Sequence, residues 1–172
     1  MSTTDAHHRN ETRIVADPNL PTILIIREFD APPERVFRAY TDPGLVVQWL
    51  GPRRLTMRID QYDARSGGSY RYVHSGDDGT EYGFHEVRPN ERIVQTFTYE
   101  GFPDGVSLET AVFEDLGGRT RVTGKSLMDS IEARDSMLKS GMDHGVREGH
   151  ERLDELLGGQ QGNSTGRHRE GS

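Results

Sequence analysis

The sequence predicts an α+β fold in which a curved, seven-stranded antiparallel sheet wraps around one long C-terminal helix, with two short helices after the first strand. Three observations carry that prediction. Between Leu55 and Leu127, six segments of alternating character are separated by breaks too short to hold a crossover helix, which restricts them to an antiparallel meander. Before them, a lone strand runs into a proline-opened pair of helical segments. After them comes one stretch of helical periodicity long enough to cross the whole sheet.

Taken in order, the first strand is Thr22–Phe29 (TILIIREF), a β-branched run that stops at Asp30. In Asp30-Ala31-Pro32-Pro33-Glu34 the missing N–H groups and fixed φ of the prolines suit the first turn of a helix. Val36, Phe37 and Tyr40 then recur at helical spacing, so a short amphipathic helix is expected over 34–41. Asp42-Pro43-Gly44 interrupts it, and a second helical segment covers 45–50, ending at Gly51-Pro52.

The six later strands are expected at 55–63, 69–74, 81–88, 92–100, 106–114 and 120–127. Turn chemistry separates them: Ser66-Gly67-Gly68, Gly76-Asp77-Asp78-Gly79, Pro89-Asn90, Pro103-Asp104-Gly105 and Gly117-Gly118. The last element spans 130–157, where Asp129 is placed to cap and Glu132 to reach back as in a capping box. At about 1.5 Å per residue it is roughly 40 Å long. Ile131, Leu138, Met142, Val146, Leu153 and Leu157 form its apolar stripe. Asp135 with Lys139, Asp143 with Arg147 and Glu148 with Arg152 form opposite-sign pairs four apart, the pattern of a solvated face.

Composition limits what such a domain does. A chain of 172 residues suits one domain, and its low hydrophobic fraction of 32% is diluted by two polar ends. Residues 1–20 and 158–172 bury too little apolar surface to repay ordering and are expected to be disordered tails around a domain at 21–157. His7, His8 and His168 fall in those tails and are expected to be solvated. A net charge of −7 without a basic stripe argues against nucleic-acid binding. With no cysteine, disulfides and thiolate chemistry are excluded. No apolar run approaches the roughly 20 residues of a membrane span, and the N-terminus has no signal-peptide core, so a cytoplasmic location is expected.

One helix cannot fill the concave side of a seven-stranded sheet, so large side chains, water or a ligand must occupy the space left over. Gly141, Gly145 and Gly149 lie along nearly one line of the last helix, and each interior glycine costs about 0.5–1 kcal/mol relative to alanine. Either close helix–sheet packing or room for a cavity explains them. Tyr70 and Tyr72 share a strand face, and a hairpin turning around Asp77-Asp78 sets Tyr70 opposite His85 and Tyr72 opposite Gly83. Phenols and an imidazole on a concave face orient a ligand, or simply pack with their polar tips satisfied. Trp49 either walls the cavity or packs. His144 and His150, six apart, do not converge on one metal; His150 is expected inward and His144 in water. No nucleophile triad or dinucleotide fingerprint is visible, and the paired glycines are hairpin turns with no helix behind them to receive a phosphate. No metal or cofactor is therefore expected.

In Arg27-Glu28-Phe29-Asp30-Ala31-Pro32 before Val36-Phe37, in Trp49-Leu50-Gly51-Pro52 and in Gly67-Gly68-Ser69-Tyr70-Arg71-Tyr72, the chain resembles the START-like or SRPBCC superfamily. These proteins share the helix-grip fold with the birch pollen allergen. Glu86-Val87-Arg88-Pro89, Phe113-Glu114-Asp115, Gly118-Arg119-Thr120-Arg121 and Gly141-Met142-Asp143-His144-Gly145 extend the likeness, which covers about 22–157. It points to the bacterial single-domain branch named after the activator of heat-shock protein 90 ATPase. Members of the superfamily bind hydrophobic or aromatic molecules in the internal cavity, some act as polyketide cyclases or aromatases, and some eukaryotic relatives assist the chaperone. Many relatives carry aromatics in the last helix where this chain has Val146 and His150, which implies a cavity of different size and polarity. The segment between Tyr82 and Glu86 is also shorter than in many of them.

The resulting expectation is a binding protein for a small hydrophobic or aromatic ligand, lipid-, polyketide- or flavonoid-like, contacted by Trp49, Tyr70, Tyr72, His85, Met142, Val146 and His150. A cyclase or hydrolase is the alternative, with His85 or His150 transferring protons. A chaperone-regulating module is the third reading, disfavoured because the first twenty residues cannot form the additional N-terminal domain of the eukaryotic activator.

Overall fold

The computed structural model describes residues 10–75, 80–102 and 104–161. Its elements are β1 (Arg13–Ala16), β2 (Thr22–Phe29), α1 (Pro33–Thr41), α2 (Pro43–Trp49), β3 (Met57–Tyr62), β4 (Ser69–His74), β5 (Thr80–Arg88), β6 (Arg92–Tyr99), β7 (Val106–Asp115), β8 (Thr120–Leu127), α3 (Ile131–Lys139) and α4 (Met142–Gln161). The strands form one sheet in the order β1-β2-β8-β7-β6-β5-β4-β3, and every pairing is antiparallel.

This is the predicted α+β architecture with one strand more. Arg13–Ala16 lie in the segment expected to be a tail, yet they pair along β2 from Arg13 opposite Ile26 to Ala16 opposite Ile23. Backbone pairing at the open edge of β2 holds them, since three of the four residues are exposed. Composition alone hides such a strand. The histidines at 7, 8 and 168 and the turn at 76–79 lie outside the described residues.

β2 lies one strand in from one edge and β3 is the other edge, so α1 and α2 carry the chain across the width of the sheet. Pro33 opens α1 after Pro32 at the cap. Asp42 then ends α1 and starts α2, its carboxylate accepting from the Gly44 N–H at 2.9 Å. Val36, Phe37, Ala39, Val46 and Trp49 bury the inner faces of both helices. Val36, Phe37, Ala39 and Trp49 join Phe29, Phe84, Phe113, Leu153 and Leu157 in a core under the sheet.

The expected single C-terminal helix is two. Gly141 adopts φ +85° and separates α3 from α4. A side chain in that conformation is strained, so the glycine there serves a helix break. The N-cap of α3 is Ser130 rather than Asp129, its hydroxyl accepting from the Ala133 N–H at 3.1 Å. The charges of α4 also differ from a solvated ladder. Arg147 donates to the Thr12 carbonyl at 2.5 Å, Arg152 to the Gly51 carbonyl at 3.2 Å, and Glu148 accepts from the Arg53 N–H at 2.7 Å. They tie α4 to the chain before β1 and to the loop after α2. Arg27, buried on β2, forms a bidentate pair with Asp154 of α4, and its guanidinium lies 4.8 Å from the Phe29 ring centre.

The β4–β5 register departs from expectation. Tyr70 faces Tyr82 and Tyr72 faces Thr80, three residues earlier than His85 and Gly83. An odd slip reverses which face each β5 side chain occupies. A bulge between Phe84 and Glu86 follows, and His85 at that bulge is exposed.

Candidate functional site

A cavity of about 460 Å³ lies between the concave face of the sheet and α3–α4, with α1, α2 and the Leu50-Gly51 segment completing its wall. That size is within the range of pockets that enclose drug-sized molecules. Trp49, Tyr70, Tyr72, Met142, Val146 and His150 line it, which brings together six of the seven residues singled out from the sequence. His85 is not among them, because the register and bulge put it outside.

The aromatic wall is held by its own contacts. Trp49 is buried and donates from Nε1 to the Ala39 carbonyl at 2.8 Å, so it packs and lines the cavity at once. Tyr40 lies against it at 4.8 Å between ring centres. Tyr70 and Tyr72 stack at 6.1 Å and 19°, and Tyr70 meets Phe84 at 4.6 Å and Tyr62 at 5.4 Å. The Tyr62 hydroxyl donates to the Tyr40 carbonyl at 2.8 Å. Burial raises the pKa of the Tyr40, Tyr62 and Tyr70 phenols, which keeps all three neutral.

His150 is 7% exposed, packed edge-on against Phe29 at 5.5 Å, with its Nδ1 2.8 Å from the Thr12 hydroxyl. Burial, reinforced by the Arg27 and Arg147 guanidinium groups, lowers its pKa to about 3. His144 lies in water, its side chain 83% exposed.

A polar row crosses the cavity side of the sheet. Gln95 of β6 pairs directly with Glu109 of β7, and Glu109 with Ser126 of β8. The Ser107 hydroxyl donates to Glu109 Oε1 at 2.8 Å and the Ser126 hydroxyl to Oε2 at 2.6 Å. Burial nevertheless raises the pKa of the Glu109 carboxyl, against the downward pull of the two hydroxyls. Among the described residues Glu109 has no ion-pair partner, and no lysine or arginine lines the cavity. The Gln95 amide and the Tyr40 hydroxyl line the same space without a hydrogen-bond partner among the described residues.

Gln95, Glu109, Ser126, Tyr40 and Tyr62 were not singled out from the sequence. In β7 the aliphatic residues Val106, Leu108 and Val112 point outward and are 40–44% exposed, while Ser107 and Glu109 point inward, so the usual apolar-inside rule assigns the wrong face. Phe113, buried and in phase with Ser107 and Glu109, was the available signal.

The glycine line divides. Gly141 makes the helix break. At Gly149 a Cβ meets the Trp49 carbonyl oxygen at 3.2 Å, so the glycine lets α4 settle on the end of α2. Gly145 lies over Pro52, where a Cβ meets Cδ at 3.5 Å. Both Gly145 and Gly149 also line the cavity. Among the described residues no cluster of three potential metal ligands occurs, and no helix is long and apolar enough to cross a membrane.

The family model described as Activator of Hsp90 ATPase homolog 1-like protein matches residues 30–158. Protein Ms6760 of Mycobacterium smegmatis is a similar solved structure, 25% identical with a TM-score of 0.78, the match covering 87% of this chain and 99% of that one. A protein of Rhodobacter sphaeroides is 25% identical with a TM-score of 0.79 and the same coverage. DynU16, of the dynemicin biosynthetic locus, is 19% identical with a TM-score of 0.65 over 80% of this chain and 47% of its own, a likeness of fold alone. No curated protein matches the chain.

Proposed function

The chain belongs to the Activator of Hsp90 ATPase homolog 1-like family, of the SRPBCC superfamily, and from that premise we propose that it binds a small hydrophobic or aromatic molecule between its sheet and C-terminal helices. The observation that carries this reading is the cavity of about 460 Å³, walled by Trp49, the tyrosines of β3 and β4, and the apolar face of α4. Stacked and edge-on rings offer flat apolar surface, while the few polar groups among them fix orientation.

The cyclase or hydrolase reading is less well supported. A general base works best with a pKa near the operating pH. His150, with a pKa of about 3, is a weak base, and His85 lies outside the cavity.

Titration with fatty acids, flavonoids and aromatic polyketides, followed by NMR at the Tyr70 and Tyr72 rings and the Met142 methyl, tests the proposal. Saturable shifts at all three positions are expected with at least one class. Unmoved signals with every class would refute it.

A further inference from the structure

A cavity for apolar ligands has no obvious need of a carboxylate, yet Glu109 stands in its wall. Isolated burial of a charge is costly, and the Ser107 and Ser126 hydroxyls offset only part of that cost. Each carboxylate oxygen takes one serine hydrogen bond and retains capacity for another donor. Among the described residues no lysine or arginine lines the cavity to share the charge. Beside Glu109, directly across the β6–β7 ladder, the Gln95 amide faces the same space with no hydrogen-bond partner among the described residues.

Two unfilled polar groups on neighbouring strands of one cavity wall form a recognition point with a defined sign. An anionic ligand placed there meets a carboxylate and no cation. An ammonium group satisfies the Glu109 oxygens and can donate to the Gln95 carbonyl oxygen, while its apolar body fills the aromatic wall. The attraction is strengthened by the low-dielectric surroundings. Resting on the proposed cavity binding, we infer that the ligand is an apolar or aromatic amine, bound as its ammonium cation on Glu109 and Gln95, and that carboxylate ligands are rejected.

The test compares an amine, an alcohol and a carboxylic acid carried on the same body, once naphthylethyl and once decyl, titrated calorimetrically into the full chain at neutral pH. The amine is expected to bind at least about tenfold more tightly than the acid, about 1.4 kcal/mol. Glu109→Gln is expected to abolish that preference. Should this variant fold poorly, the NMR shift of the Glu109 side-chain carboxyl carbon in the unaltered protein serves instead, moving with the amine and not with the alcohol. Equal binding of amine and acid, or an amine preference that survives in Glu109→Gln, overturns the inference and leaves cavity binding standing. Failure of all three head groups on both bodies overturns the two together.

Discussion

His150 gives the structure its sharpest consequence in pH. In the folded protein its pKa is about 3, in the unfolded chain about 6.5. As pH falls below about 6.5 the unfolded chain takes up a proton that the folded chain refuses until about pH 3, so stability rises with pH across that window. At about 1.4 kcal/mol per pH unit the full gap amounts to about 5 kcal/mol, of which about 2 kcal/mol is already lost at pH 5. His150→Asn removes the titrating ring and keeps a polar atom for the Thr12 hydroxyl. Glu109 acts in the opposite sense, since its raised pKa favours the folded state as pH falls, but it is common to both proteins and cancels in their difference. Urea unfolding of the two proteins between pH 8 and pH 4 is therefore expected to show a gap in stability that changes by about 2 kcal/mol by pH 5. Parallel pH profiles, or the His150 imidazole resonance titrating near 6.5 in the folded protein, would refute the reasoning.

Three further outcomes follow from named contacts. Glu109→Gln is expected to raise the urea midpoint at pH 7, because it removes a carboxyl whose ionisation burial opposes, with the gain shrinking as pH falls toward the ordinary carboxyl range; a lower midpoint at pH 7 would contradict it. Asp154→Asn leaves the Arg27 guanidinium buried without its counter-ion and is expected to cost about 3 kcal/mol in urea unfolding, whereas a cost below about 0.5 kcal/mol would show that the pair contributes little. Gly141→Ala meets open space, so only backbone strain acts; it is expected to destabilise by about 1–2 kcal/mol, and no change would mean that the helix break relaxes without it.

The elements were legible where local chemistry dominates. The β-branched run at 22–29 and the proline-opened helices are found within a few residues of their expected places, because composition and punctuation are local properties. Two kinds of feature were not legible. β1 draws its order from the backbone edge of β2, which its own composition does not record. The β4–β5 register depends on where the hairpin turns, and one odd slip moved His85 away from the tyrosines it was expected to join. The sequence places Gly141 in a glycine line inside one helix, explained by packing or by cavity room, whereas its left-handed backbone is a tertiary choice between one helix and two.

The cavity wall also argues for binding over acid–base chemistry on grounds broader than one residue. Burial drives Tyr40, Tyr62 and Tyr70 toward the neutral phenol and His150 toward the neutral imidazole, and it pushes the Glu109 carboxyl upward as well. Each of these shifts disfavours charge. A catalytic pair needs two groups whose environments separate an acid from a base around the working pH. Here burial moves the three phenols up and the His150 imidazole down, so these four groups act as fixed donors and acceptors and do not form such a pair. Glu109 is the group whose charge a bound ammonium would stabilise, since no lysine or arginine among the described residues lines the wall. On the proposed reading, such a surface would select its ligand by shape and by the sign of a single charge.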